Sequence, residues 1–315
     1  MLVAERKTST RITLDNVLYA TDFSAPACAA LPYALAICRH YESTLHAVHV
    51  VPEFDVLVHA EAVNPVTIQS AYAAQAREAR ERMRALTSEL ESIPHRTYIR
   101  RGKIWDVISE LVAKQHIDLL VLGTHGREGI GKLAMGSVAE SLLRQSSCPV
   151  LTVGPKAYGR IKQEFDETGK DIRPADIEHK HIIFAVDFSP ESLAAAPFAV
   201  SLAEEFQARL VLLHVIKRHE STPIERPLER LESLIPEEAA LWCRPEPSVK
   251  FGFADEQILQ TAADSNSGLI VLGVRSAQSH FGTAMHFPWS VAHKVIANAS
   301  CPVLTIRSQK PGSHS

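Results

Sequence analysis

No Cys-x-x-Cys pair occurs among the five cysteines of this 315-residue chain, Cys28, Cys38, Cys148, Cys243 and Cys301. The odd count and the spacing argue against a disulfide framework and a thiolate zinc site, and leave buried free thiols as the expectation. The fifteen histidines form no His-Glu-x-x-His and no Cys/His cluster with ligand spacing. His46 and His49, three apart in a predicted strand, point to opposite faces and cannot share a metal. An excess of positive charge is missing too: the formal net charge is -3, so nucleic acid is not expected as a partner. No apolar run reaches the roughly 18 residues that span a bilayer, and Met1-Leu-Val-Ala-Glu-Arg-Lys lacks the h-region of a signal peptide. No membrane association is expected, and the cytoplasm is the expected compartment.

What is present is a repetition. Val17-Leu-Tyr-Ala-Thr-Asp-Phe-Ser24 returns as Ile182-Ile-Phe-Ala-Val-Asp-Phe-Ser189, and Ser147-Cys-Pro-Val-Leu-Thr-Val153 returns as Ser300-Cys-Pro-Val-Leu-Thr-Ile306. Two copies of one unit, each large enough for its own core, account for the length. The offset between copies is 165 at Asp22 and Asp187 and at His49 and His214, 150 at Gly123 and Gly273, and 153 at Cys148 and Cys301. The second copy is therefore shortened between its second and fourth strands and lengthened after the fourth, where loops or a peripheral helix absorb the change. The expected layout is a first unit over 12–155, a linker over 156–179 and a second unit over 180–308. The linker reads as exposed because the stretch Gly154 to His179 carries eleven Asp, Glu, Lys and Arg residues.

Each unit alternates short apolar strands with helical patterns. In the first, strands are expected at Val17–Ala20, Leu45–Val51, Arg96–Arg100, Leu119–Leu122 and Val150–Val153. Ser24 reads as the N-cap of a helix running through Cys38, and further helices are expected near Gln69–Glu91, Ile104–Lys114 and Val138–Gln145. In the second, strands are expected near Ile182–Val186, Leu210–Val215, Val249–Phe253, Leu269–Leu272 and Val303–Ile306. Five prolines between His219 and Pro247 exclude a long second helix there. Strands alternating with helices give an α/β fold with parallel sheets covered on both faces.

Chemistry concentrates after the fourth strand of the first unit, where Gly123-Thr-His-Gly-Arg-Glu-Gly-Ile-Gly-Lys-Leu-Ala-Met-Gly-Ser137 places five of the fourteen glycines within fourteen positions. Glycines let backbone N–H groups approach an anion closely. Ser137 opens a helix, whose first N–H groups and dipole also favour phosphate. Two stock motifs nearly match and fail. Gly126 to Lys132 lacks the following Ser or Thr of a P-loop, because Leu133 stands there. Gly129 to Ala134 lies after the wrong strand for a dinucleotide fingerprint and has Gly154 in place of the acid about 20 residues on.

These residues carry a resemblance to the universal stress protein family in its tandem form. The supporting pattern is Gly-x2-Gly-x9-Gly-Ser at Gly123, Gly126, Gly136 and Ser137, with Thr21-Asp22-Phe23-Ser24 after strand one and His49-Val50 ending strand two. The resemblance implies two doubly wound domains, each a five-stranded parallel sheet of order 3-2-1-4-5, with ATP across the carboxyl ends of the strands. By that match Asp22 binds the adenine or ribose side and the Val50 backbone meets adenine. Gly123, Gly126, Gly136 and Ser137 hold ribose and phosphates, with Mg or Mn as the divalent metal. It further implies a stress-response protein acting as a nucleotide-dependent regulator or binding module.

Two other function classes stay open beside that one: a slow ATPase or nucleotidyl-transferring enzyme, and a nucleotide-free scaffold taking an apolar ligand through the C-terminal half. No catalytic constellation is evident, and His125 is a lone imidazole in the loop, so hydrolysis is expected to be slow. The second unit departs from the pattern, with Ser276 for the second glycine and Trp289 for the third, so its site is expected to be empty or to hold something smaller and more apolar than ATP. In the order 3-2-1-4-5 the fifth strand lies at an edge that needs cover. The two fifth strands are therefore expected to pair within the chain, leaving any homodimer to another surface.

Overall fold

A computed structural model of the chain describes residues 12–53, 65–124, 135–157, 164–165, 172–173, 181–217, 223–236, 245–274 and 288–307. Gly126, His125, Ser276 and Cys243 lie outside these residues, as does the side chain of Trp289.

In the first half β1 (Asn16–Ala20), β2 (Thr44–Pro52), β3 (His95–Gly102), β4 (Leu119–Gly123) and β5 (Val150–Val153) alternate with α1 (Ala25–Cys28), α2 (Leu31–Tyr41), α3 (Pro65–Glu89), α4 (Ile104–Lys114) and α5 (Ser137–Gln145). Two short strands, β6 (Glu164–Phe165) and β7 (Ile172–Arg173), pair antiparallel between the halves. The second half has β8 (His181–Ala185), α6 (Pro190–Ala194), α7 (Ala196–Glu205), β9 (Arg209–Ile216), α8 (Glu225–Glu232), β10 (Glu246–Phe251), the helix Ala254–Asp264, β11 (Leu269–Val274), the helix Pro288–Asn298 and β12 (Val303–Arg307).

The ten long strands form one sheet, in the order β10-β9-β8-β11-β12-β5-β4-β1-β2-β3. Each half has the order 3-2-1-4-5, and every pairing within a half is parallel. The halves meet where β5 and β12 pair antiparallel, with Val303 opposite Thr152 and Thr305 opposite Val150. The expected internal pairing of the fifth strands is thus present, and it turns two sheet edges into the centre of one sheet. Both apolar layers cross this seam: one covers the face packed by α2, α3 and α7, the other the face packed by α4 and α5. His40 Nε2 lies 2.9 Å from Glu205 Oε2 across the halves.

Several local expectations need correction. The helix expected from Ser24 through Cys38 is two helices, because Pro32 has no N–H to give to the Cys28 carbonyl four residues back; α1 stops at Cys28 and α2 starts at Leu31. Pro197 divides α6 from α7 in the same way. Cys28 is exposed rather than buried, whereas Cys38, Cys148 and Cys301 are buried. The linker is not exposed throughout: Lys156 is exposed, but Ala157 is buried and its carbonyl accepts from Tyr33 Oη. No helix among the described residues is long and apolar enough to cross a membrane.

Candidate functional site

β1 and β4 lie side by side in the first half, but the chain leaves them toward opposite edges of the half-sheet, to β2 and to β5. A crevice opens beyond the carboxyl ends of strands at such a switch point. Here it is a cleft of about 540 Å³, within the roughly 300–1,000 Å³ range of small-molecule sites.

One wall is the turn after β1. Phe23 is held at φ 59°, a conformation that costs a bulky residue and needs support. Phe23 N–H donates to Thr21 Oγ1 and Ser24 N–H to Asp22 Oδ1, both at 2.9 Å. His49 Nδ1 lies 2.8 Å from the Thr21 carbonyl oxygen, which makes this nitrogen the donor, and the Phe23 ring packs on the imidazole at 4.7 Å. The Asp22 carboxylate is thereby oriented before any ligand arrives. Below it Tyr19 is buried, and desolvation pushes its phenol well above the ordinary value, keeping it an O–H donor.

The opposite wall is the start of α5. Gly136 N–H donates to the Thr124 carbonyl at 2.9 Å, closing the base of the glycine-rich loop. Gly136 is the N-cap, at φ -64° and ψ 145°, and Ser137 is the first helical residue. Ser137 therefore opens the helix as expected from the sequence. At Gly136 the angles suit any residue, so what glycine supplies there is space. The first N–H groups of α5 have no intrahelical acceptor and face the cleft end of the helix dipole.

Asp22, Val50, Gly123, Gly136 and Ser137 all line this one cleft. Sequence reasoning missed its apolar floor of Ile104, Ile108, Met135 and Leu142, and its rim of Gln75 and Glu78. Ile104 and Ile108 were visible only as one apolar face of α4, which reads as core. No group of three His, Cys, Asp or Glu able to hold a metal occurs among the described residues.

The second half repeats the turn. Phe188 sits at φ 59°, Ser189 N–H donates to Asp187 Oδ1 at 2.9 Å, and His214 Nδ1 lies 2.7 Å from the Val186 carbonyl. Yet α6 lies on the end of β11: a Cβ at Gly273 would stand 2.3 Å from the Glu191 carbonyl oxygen and 2.4 Å from Ser192 Cα. The sequence placed the second half's departure at Ser276 and Trp289; the described residues add this close contact of α6 with the end of β11.

The chain matches the universal stress protein family over residues 13–154 and 178–307. A universal stress protein of Mycolicibacterium smegmatis is 24% identical over 307 residues, covering 93% of this chain and 97% of that protein. Universal stress protein A homolog 1 of Coxiella burnetii is 30% identical over 141 residues, 45% of this chain and 96% of that protein, so it corresponds to a single half. The crystal structure of a universal stress protein from Archaeoglobus fulgidus superposes with a TM-score of 0.66 at 19% identity, covering 94% of this chain and 99% of that one.

Proposed function

The chain belongs to the universal stress protein family, and from that premise we propose that its N-terminal half binds ATP and that the protein acts as a cytoplasmic nucleotide-dependent regulator or binding module in a stress response. The observation that carries this reading is the convergence of the oriented Asp22 carboxylate and the N-terminus of α5 on one cleft at the switch point. An apolar floor suits a purine, free backbone N–H groups suit phosphates, and a carboxylate at the far wall suits ribose hydroxyls. Asp22, Val50, Gly123, Gly136 and Ser137 are the described residues assigned to the ligand; Gly126 completes the proposed set from outside them.

The described residues fit a metal carried by the nucleotide better than a protein-built metal centre. Mg keeps several waters and commonly binds through one or two protein groups plus substrate phosphates, which requires no three-ligand cluster. The protein's part is to bind and orient the nucleotide. A slow ATPase or a nucleotidyl transferase would also need a base within reach of the phosphates. Since β5 and β12 already pair with each other, a homodimer would use a different surface.

Calorimetry of ATP binding, with and without Mg or Mn, tests the assignment on the wild type and on Gly136→Trp. Gly136 lines the cleft and its backbone angles suit any L-residue, so an indole there should compete with the ligand for space, and ATP binding should be lost with the fold retained. Unchanged affinity in the variant would remove the site from this cleft.

A further inference from the structure

β5 and β12 pair about a local twofold axis. Leu151 faces Leu304, and these two are counterparts, 153 positions apart in the repeat. The same offset exchanges the pairs on either side, Thr152 with Val303 and Val150 with Thr305. On the face packed by α2 and α7 the axis passes between His40 and Glu205, whose Nε2 and Oε2 are 2.9 Å apart. These are counterparts too, 165 positions apart. On a twofold axis a residue meets its own counterpart. Two like halves joined through the same strands would therefore set His40 against a second His40, or Glu205 against a second Glu205.

The unlike pair is the one that bonds. A carboxylate oxygen only accepts, so Nε2 carries the proton and donates to Glu205. The Glu205 side chain is 10% exposed, and two carboxylates so placed would repel with little screening. Two further contacts across the halves have the same one-sidedness. Ile12 N–H donates to Ser201 Oγ at 3.0 Å, whereas the counterpart of Ser201 is Ala36, which has no oxygen to offer. Gly154 makes room for the helix Pro288–Asn298, since a Cβ there would stand 2.8 Å from the Ile296 carbonyl oxygen. The counterpart of Gly154 is Arg307. Two N-terminal halves would lose both acceptors, and two C-terminal halves would gain a repulsion and a clash.

We propose that the seam is a partner-selecting surface: it accepts the complementary half and opposes a copy of itself, so that separate chains do not associate like to like through β5 or β12. Selection of this kind needs penalties on the wrong partner as well as bonds to the right one. The inference is independent of the nucleotide reading.

The test builds each like–like contact into the full chain. His40→Glu opposes a carboxylate to Glu205, Glu205→His opposes an imidazole to His40, and Gly154→Arg sets a side chain against the Ile296 carbonyl. His40→Glu/Glu205→His exchanges the pair on the axis. Hydrogen exchange is read by mass spectrometry on peptides covering β5 and β12, with β1 and β8 as the reference within each half. Each single variant should exchange roughly two- to tenfold faster at the seam and unchanged at β1 and β8. The exchanged pair should return to within about twofold of the wild type. Wild-type exchange at the seam in either charge variant would overturn the proposal. So would an exchanged pair no better protected than the single variants, because each residue would then serve only its own half. Acceleration spread equally to β1 and β8 would overturn it as well, since that is loosening of the whole fold. Should Gly154→Arg fail to fold, the charge exchange decides alone.

Discussion

Thr152 and Thr305 exchange hydrogen bonds across the seam between the halves: Thr152 Oγ1 donates to the Val303 carbonyl at 3.1 Å and Thr305 Oγ1 to the Val150 carbonyl at 3.2 Å. The two occupy equivalent positions 153 residues apart, and both are buried. An apolar seam between antiparallel strands can slip; a hydroxyl that must find one particular carbonyl opposes slipping.

Replacing both by valine keeps the shape and removes the two bonds. Each hydroxyl should contribute on the order of 0.5–1.5 kcal/mol, and the two single variants should cost nearly the same because their surroundings repeat. Urea unfolding should show a lower midpoint with an unchanged slope. No shift in the double variant would mean that apolar burial alone holds the halves together.

Asp22→Ala and Asp187→Ala provide the sharpest contrast within one chain. Each removes a carboxylate that accepts a serine N–H at 2.9 Å, and Asp187 also accepts from the Ser189 hydroxyl at 2.6 Å, so Asp187→Ala should cost at least as much stability as Asp22→Ala. Only the first should lose ATP, by about ten- to a hundredfold, the worth of a charged hydrogen bond to a ligand. Equal effects on ATP would make both halves binding sites. No effect of either would take Asp22 out of the site.

The doubling and the strand positions were legible in the sequence because both rest on local pattern: the Asp-Phe-Ser turns, the Ser-Cys-Pro-Val-Leu-Thr strands and apolar runs between helical stretches. The pairing of β5 with β12 was legible because an uncovered edge strand demands a partner. The break between α1 and α2 was not, since the apolar periodicity runs on through Leu31 and Leu35 while Pro32 acts on a carbonyl four residues earlier. The contact of α6 with the end of β11 was also hidden. It is a meeting of the Glu191 backbone carbonyl with Gly273 in space, which no local sequence pattern reports.

That contact makes Gly273→Ala a severe change for a single methyl. The added carbon would fall 2.3 Å from the Glu191 carbonyl oxygen and 2.5 Å from its carbonyl carbon, and these are backbone atoms that cannot swing aside. The helix must move as a unit, at a cost of about 1–3 kcal/mol typical of overpacking. Thermal unfolding should fall by several degrees while ATP binding to the first half is retained. A neutral Gly273→Ala would show that α6 is loosely held.

Acid should weaken the protein through His46. Its Nε2 lies 3.1 Å from Asn16 Oδ1, an acceptor, so Nε2 carries the proton; Nδ1, 3.1 Å from Tyr98 Oη, is then the acceptor of the neutral ring. Desolvation lowers its pKa below the ordinary value, and the neighbouring Arg96 charge lowers it further. The folded state therefore prefers the neutral ring more than the unfolded chain does. Its contribution is fully present above the unfolded value of about 6.5 and is lost as pH falls through the lower folded value. Urea midpoints measured from pH 8 down to pH 5 should decline more steeply in the wild type than in His46→Gln, which cannot titrate. Parallel pH profiles for the two proteins would show that His46 takes up its proton equally well folded and unfolded, and that the acid sensitivity belongs to other histidines.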